Sequence, residues 1–372
     1  MHVVGARPNF MKVAPIVEEM KQAQGAFDQI LVHTGQHYDD SMSQVFFEDL
    51  GLPRPDVFLD VGSGSHAQQT ARIMSAFEPV LLEYNPDWVI VVGDVNSTVA
   101  CALTAAKLRF RVAHIEAGLR SFDRSMPEEI NRIVTDHISD LLFTTEQSGD
   151  WNLSQEGISA EKVSFVGNTM IDTLVSLLPR ARASGTALRE QFGLARHVLV
   201  TLHRPSNVDD PSTLRELLVG LNDIASDIPV LFPVHPRTKM QIDALEFTDL
   251  KDDLILMPPM GYLDFLGMME SATLVITDSG GVQEETTYLG VPCLTARSNT
   301  ERPITLKMGT NQLVPSNRIA LLHAAREILQ ERQRYQNLVP PPLWDGAAAG
   351  RIVDGLRNKV SMSPNEMSIE KQ

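Results

Sequence analysis

Asp94, Glu116, Glu128 and Glu129 are the acids of this chain whose settings suit proton transfer. Asp94 follows the apolar run Trp88–Val92, Glu116 closes the run Val112–Ile115, and Glu128 and Glu129 stand behind Pro127 at a helix start. Carboxylates gathered in one cleft can hold separated pKa values, one serving as base and another as acid. Plainer roles stay open at this point: Asp94 and Glu128 as helix caps, Glu129 as a helical partner of Arg132. Glu116 lies in His114-Ile115-Glu116-Ala117-Gly118-Leu119-Arg120, where no helix pattern follows for it to cap.

A second group of residues suits anions. Leu274-Val275-Ile276-Thr277 leads through Asp278-Ser279-Gly280-Gly281 into Val282-Gln283-Glu284-Glu285, a strand, a small-residue turn and a helix. Such a turn lets the backbone approach a phosphate while free N–H groups and the helix dipole bind it; tight packing is the plainer alternative. Glu285, one turn into that helix, suits ribose hydroxyls as an acceptor. Arg7 and Lys12, in Arg7-Pro8-Asn9-Phe10-Met11-Lys12, carry cations suited to phosphate oxygens. His203 and His235 each follow a strand candidate directly. No H-E-x-x-H or cysteine pair supports a metal set. Gly62-Ser63-Gly64-Ser65-His66-Ala67 fits the loose dinucleotide pattern after Val57–Val61, yet it falls well beyond the first strand and lacks the acidic strand end, so nicotinamide binding is not expected.

The elements that must position these groups are short β-branched runs alternating with amphipathic segments. Strands are expected at His2–Val4, Ile30–His33, Trp88–Val92, Val112–Ile115, Leu141–Thr144 and Val163–Phe165, then at Val198–Leu202, Val230–Val234, Leu254–Met257, Leu274–Thr277 and Pro292–Thr295. Helices are expected at Asn9–Met20, His66–Tyr84, Ser97–Leu108, Glu128–His137, Pro211–Ile224 and Val282–Leu289. Apolar strands joined by crossover helices mean parallel sheets covered on both faces. The fold class is therefore α/β, with two doubly wound, Rossmann-like domains. The expected boundaries are residues 1–167 and 191–346, with a linker across 168–190 and a final helical segment, 347–372, returning to the first domain. The linker reads as a helix, Asn168–Ala183, ended by the polar stretch Ser184-Gly185-Thr186. Polar residues follow six strand ends, which is where open α/β sheets bind ligands.

Composition narrows the classes. The 372 residues include 32 Lys+Arg against 47 Asp+Glu, a formal charge of −15. That balance argues against nucleic acid, while a locally positive pocket can still take an anion. Cys101 and Cys293 sit in apolar surroundings and read as buried, reduced and structural. No apolar stretch reaches the length of a membrane span, and the opening residues read as a strand rather than a signal peptide, so a cytoplasmic protein is expected.

Taken in order, Gly5-Ala6-Arg7-Pro8, Thr34-Gly35-Gln36-His37, Gly93-Asp94-Val95-Asn96-Ser97-Thr98, His114–Arg120, Pro127-Glu128-Glu129-Ile130-Asn131-Arg132, Gly167-Asn168-Thr169, Pro233-Val234-His235, Asp278–Glu285 and Thr300-Glu301-Arg302-Pro303 resemble the non-hydrolysing UDP-N-acetylglucosamine 2-epimerases. The resemblance implies the two-domain glycosyltransferase-B architecture with its active site in the interdomain cleft. It further implies a homodimer and reversible conversion of UDP-GlcNAc to UDP-ManNAc without metal or nicotinamide cofactor, usually for cell-surface polysaccharide. Carried over by position, Asp94, Glu116 and Glu128 are the acid/base carboxylates, with His203 also catalytic. Arg7, His203, Ser279, Gly280 and Gly281 hold the diphosphate, Glu285 holds the ribose, and Lys12, Arg132 and Arg302 belong to the same pocket. Gln36, Arg72, Arg204 and His235 fall near the second, activating site of some members.

Two departures stand out. The family usually has Gly-Thr-Arg-Pro-Glu where this chain has Gly5-Ala6-Arg7-Pro8-Asn9, and it usually has Glu where this chain has Ser206. The second change bears on the sugar substituents and on any activator site. A modified UDP-2-acetamido sugar is thus an alternative substrate. A glycosyltransferase using a UDP-sugar donor is the alternative activity, although it would not need three carboxylates together.

Overall fold

The computed structural model describes residues 1–23, 25–35, 50–245, 247, 249–331, 335 and 338–360, with the side chains of Arg7 and Val360 excepted. Gln36 lies outside the described residues. The chain divides into two units, Met1–Thr173 with Pro342–Gln372, and Leu174–Pro341.

In the first unit the strands are β1 (His2–Val4), β2 (Leu31–His33), β3 (Val57–Phe58), β4 (Trp88–Val92), β5 (Arg111–Ala117), β6 (Leu141–Thr144) and β7 (Val163–Phe165). They pair in parallel in the order β3-β2-β1-β4-β5-β6-β7. Central strands such as β4 are buried at every residue, as expected of Trp-Val-Ile-Val-Val under helices on both faces. Phe77, Leu81, Val91 and Cys101 belong to the core on one side of this sheet.

The second unit repeats the plan with β8 (Val198–Thr201), β9 (Val230–Pro233), β10 (Leu254–Met257), β11 (Leu274–Thr277), β12 (Cys293–Ala296) and β13 (Asn311–Val314). Their order is β10-β9-β8-β11-β12-β13, again parallel throughout. In each sheet the strand order reverses once, between β1 and β4 and between β8 and β11. Such switch points open a crevice at the carboxyl ends of the strands.

One expectation needs correction, and two strands add to those expected. The helix after Gly167 does not end at Ala183; it runs from Thr169 to Phe192 straight through Ser184-Gly185-Thr186. Gly185 is kept helical by packing: a Cβ there would lie 2.5 Å from the backbone of Gly267, and one at Gly267 would lie 2.1 Å from the Ala181 carbonyl oxygen. Two helices thus cross with backbones in contact, which glycine alone permits. Val57–Phe58, ahead of the Gly62–Ala67 segment, is a short strand beyond those expected. β13 is an additional strand that the polar pair Asn311-Gln312 disguised.

The Gly62–Ser65 segment is a helix entry: the Ser65 side chain accepts from the Gln68 N–H at 3.3 Å, capping the helix His66–Tyr84. The helix Ala348–Val360 belongs to the first unit. Asp172 accepts from the N–H groups of Ala348 (3.2 Å) and Ala349 (2.7 Å), and the Trp344 indole donates to the Thr145 carbonyl at 2.9 Å. Both cysteines are buried and unbridged. Among the described residues, no helix is long and apolar enough to cross a membrane.

Candidate active site

At the switch point of the first sheet the chain turns sharply at Gly93, with φ +67°, between β4 and the helix Asn96–Lys107. A Cβ at Gly93 would lie 3.3 Å from Lys12 Nζ, 3.6 Å from Asn9 Nδ2 and 3.9 Å from Glu116 Oε1. Three polar side chains therefore converge on a residue without one. Lys12, on the helix Arg7–Gln22, pairs with Glu116 at 2.5 Å, and both side chains are almost wholly buried. Glu116 occupies the left-handed region, φ +69°, where the register of β5 against β6 shifts between Ile115 and Ala117. A non-glycine residue held this way stores about 1–3 kcal/mol of strain, and such strain concentrates at functional sites. Asn9 accounts for one departure: its side-chain oxygen accepts from the N–H groups of Gly5 and Ala6, and its amide donates to the Val92 carbonyl at 3.0 Å. It ties the first helix to β4.

Asp94, one residue past Gly93, receives Arg132 Nη2 at 2.6 Å. The other guanidinium nitrogen of Arg132 donates to Glu129 at 2.6 Å. Glu129 is buried and also accepts from Ser121 N–H, Ser121 Oγ and Phe122 N–H, so its role is to hold the loop before the helix Pro127–Ile138. Arg132 carries that anchoring on to Asp94. Glu128, beside it in the first turn, is half-buried and keeps access to solvent.

The second unit assembles a different chemistry at its switch point. Asp278 is fully buried and accepts from His203 N–H (3.1 Å), Arg204 N–H (2.9 Å) and Asn207 Nδ2 (3.0 Å), with His203 Nδ1 also at 3.1 Å. Burial opposes ionisation of Asp278, yet His203, Asn207 and the Arg204 N–H together hold its carboxyl below the ordinary value. The carboxylate thereby fastens the His203–Asn207 turn against the end of β11. His203 itself remains about half exposed, at 53 %.

Ser279 starts the helix Gly280–Leu289 without a side-chain cap, leaving first-turn N–H groups that have no intrahelical acceptor. A Cβ at Gly280 would lie 2.6 Å from Arg302 Nη1 and 2.8 Å from Glu301 Oε1. Arg302 is buried, paired with Glu284 at 2.8 Å and with Glu301 at 2.5 Å, and so is fixed beside that helix start. An uncapped helix N-terminus with a buried guanidinium beside it is suited to a phosphate. Glu285 is buried and accepts from the Tyr262 hydroxyl at 2.7 Å. Burial, opposed by that hydrogen bond and helped by Glu284, pushes its carboxyl up to about 7.

The UDP-N-acetylglucosamine 2-epimerase profile matches residues 18–357. This chain belongs to that family. It is 41 % identical over 360 residues to the UDP-N-acetylglucosamine 2-epimerase of Methanocaldococcus jannaschii, covering 94 % of this chain and 96 % of that one. It is 44 % identical over 330 residues to the UDP-2,3-diacetamido-2,3-dideoxy-D-glucuronate 2-epimerase of Pseudomonas aeruginosa, covering 88 % and 91 %. The crystal structure of the M. jannaschii enzyme in complex with UDP-GlcNAc and UDP matches with a TM-score of 0.86 and 40 % identity, covering 96 % of this chain and 99 % of that one. The two Rossmann-like parallel-sheet units are thus the glycosyltransferase-B type of fold.

The remaining residues singled out in this epimerase-family chain divide. The backbone of Arg7 opens the first helix. Arg204 donates from Nε to the Asp278 carbonyl at 2.9 Å, and its guanidinium stands 3.9 Å from Glu301. His235 is exposed and caps the helix Pro236–Ala244, its Nδ1 accepting from the Arg237 N–H at 3.3 Å. Arg72 is exposed and donates to the Ser63 carbonyl at 2.9 Å. Ser206 is exposed in the turn Pro205–Val208.

Sequence reasoning missed Tyr262 and the buried pair His114–Asp136. For His114 a signal existed: a polar ring inside Val112–Ile115 is buried with the strand and must find partners. For Tyr262 there was none.

Proposed function

We propose that this protein is a UDP-sugar 2-epimerase that interconverts UDP-GlcNAc and UDP-ManNAc, working as a homodimer in the cytoplasm. The observation that carries the reading is Glu116, held at φ +69° against Lys12 and next to the Gly93–Asp94 turn. Binding alone gains nothing from a strained, buried acid there; proton transfer does.

The proton on C2 of the sugar is not adjacent to a carbonyl, so direct removal is out of reach. One carboxylate takes it while the C1–O bond breaks and its electron pair leaves on the β-phosphate of UDP, forming the C1=C2 bond of a 2-acetamidoglucal. UDP then re-adds to C1 as an acid delivers a proton to the opposite face of C2. Asp94, Glu116 and Glu128 supply base and acid. Arg132 holds Asp94, and Lys12 holds Glu116.

The leaving diphosphate is stabilised by the N–H groups from Ser279 to Gly281, by Arg302 and His203, and by Arg7. Glu285 accepts from the ribose. Arg204, His235 and Arg72, with Gln36, are the residues through which a second nucleotide sugar would activate the enzyme.

The 44 % identity to the diacetamidoglucuronate epimerase favours a second reading, in which the same chemistry acts on a modified UDP-2-acetamido sugar. Proton NMR in D2O with each UDP-sugar, without added metal or nicotinamide, tests both. Deuterium entering C2 with appearance of the epimer from UDP-GlcNAc supports the first, and turnover of the uronate alone supports the second. Inertness toward every UDP-sugar would sink both.

A further inference from the structure

We infer that His114 and Asp136 are positioning residues for the epimerisation, fixing the spacing between Asp94 and Glu116; the inference rests on the epimerase reading above. His114 lies on β5 two residues before Glu116 and is fully buried. Its Nε2 stands 2.8 Å from the Gly93 carbonyl oxygen and its Nδ1 stands 2.7 Å from Asp136 Oδ1. The ring thus bridges the Gly93 carbonyl and the Asp136 carboxyl, one through each nitrogen.

The Gly93 carbonyl belongs to the peptide that carries the Asp94 N–H, so this bond sets the plane from which Asp94 departs. On the other side of the ring, Asp136 Oδ2 accepts from the Gly118 N–H at 3.2 Å, and Arg120 reaches the same oxygen at 2.7 Å. Arg120 is held in turn by Glu156 at 2.7 Å. Burial opposes ionisation of Asp136, and the bonds from His114 and Arg120 overcome it, keeping the carboxyl below its ordinary value.

Gly93 N–H donates to the Ile115 carbonyl at 3.0 Å, immediately before Glu116. The left-handed residue Glu116 is therefore fastened on both sides, at Ile115 through Gly93 and at Gly118 through Asp136. Gly93 is in turn fastened through His114. A single buried pair ties together the two backbone segments that present the catalytic acids. The pair's own bonds reach the peptide that precedes Asp94 and the Gly118 N–H two residues past Glu116.

The test compares wild type, His114→Gln, His114→Asn and Asp136→Asn with UDP-GlcNAc in D2O. NMR follows deuterium at C2, UDP-ManNAc, and free UDP with released 2-acetamidoglucal; thermal melts and UDP affinity are measured alongside. The glutamine amide reaches where Nε2 stands and keeps the Gly93 bond, whereas asparagine reaches only toward Asp136. His114→Asn is expected to lower turnover about 100-fold, the cost of a displacement near 1 Å. It should leave UDP affinity unchanged and raise the share of turnovers that end as free glycal, while His114→Gln recovers to within about tenfold of wild type. Asp136→Asn should follow His114→Asn. Wild-type turnover and partition in His114→Asn would overturn the inference. So would a loss that tracks the unfolded fraction with the partition unchanged. A wild-type protein inert toward UDP-GlcNAc and the diacetamidoglucuronate alike would refute the epimerase reading, and the inference with it.

Discussion

Tyr262 donates its hydroxyl hydrogen to Glu285 Oε1 at 2.7 Å, and the acid it meets is fully buried. Burial dominates: the Glu285 carboxyl titrates at about 7, and Tyr262 is what keeps it from going higher. If ribose hydroxyls donate to this oxygen pair, UDP binds the ionised form. Affinity for UDP should then fall as pH drops through about 7, and binding at pH 6.5 should release protons. Calorimetry in buffers of differing ionisation enthalpy measures both. Tyr262→Phe should move the fall in affinity to higher pH, and an affinity independent of pH would remove Glu285 from the ribose site.

The same shift has a consequence for the ligand-free fold. The folded-state value lies above the ordinary 4.5, so the folded protein binds more protons than the unfolded chain between 4.5 and about 7. Stability from this group is complete at the acid end and declines as pH rises through that window, by about 3 kcal/mol. Denaturant melts of wild type and Glu285→Gln across pH 5 to 8 should diverge with rising pH, the glutamine variant being the more stable at pH 8.

Glu116→Gln and Asp94→Asn should each lower turnover roughly 10²–10⁴-fold while leaving UDP affinity intact, since neither acid belongs to the groups proposed to hold the diphosphate. Lys12→Met removes the buried cation paired with Glu116 and should cost about 3–5 kcal/mol. The double variant Lys12→Met/Glu116→Gln should recover most of that stability and none of the activity. Additive losses in unfolding free energy would show that the pair is not coupled.

Two glycines should respond oppositely to alanine. At Gly280 the new methyl meets side-chain atoms of Arg302 and Glu301 rather than backbone, so folding persists while UDP affinity falls, roughly 10–100-fold for one lost charge-assisted contact. At Gly267 it meets the Ala181 backbone at 2.1 Å, which cannot step aside, so stability falls by about 1–3 kcal/mol or more. Melting curves beside UDP titrations separate the two cases.

Much of this architecture was legible because many strands are short apolar runs, several of them followed closely by a polar residue. Trp88–Val92 ahead of Asp94, and Leu274–Thr277 ahead of Asp278, mark both the strand and its carboxyl end. Less legible were elements whose stability comes from distant partners. Gly185 looks like a helix breaker until Gly267 lies against it, and Asn311 looks like a loop residue until its amide donates to the Gln283 carbonyl at 2.9 Å. His114 and Asp136 are 22 residues apart and leave no local periodicity to read. The roles of Glu129 and Asn9 as backbone anchors likewise emerge only once the loop and the helix they hold are in place.

Asp172 caps a helix that begins at Ala348, on the far side of a whole unit in sequence. On the ribosome, therefore, the first unit is translated first and finished last. Its seven strands emerge early, yet the helix Ala348–Val360 cannot dock until all of Leu174–Pro341 has been made. The second unit is contiguous, and its six-stranded sheet is fully synthesised while the first still lacks its closing helix. A nascent chain stalled short of Ala348 would carry a second unit with every strand present and a first unit with its Asp172 carboxylate still uncovered.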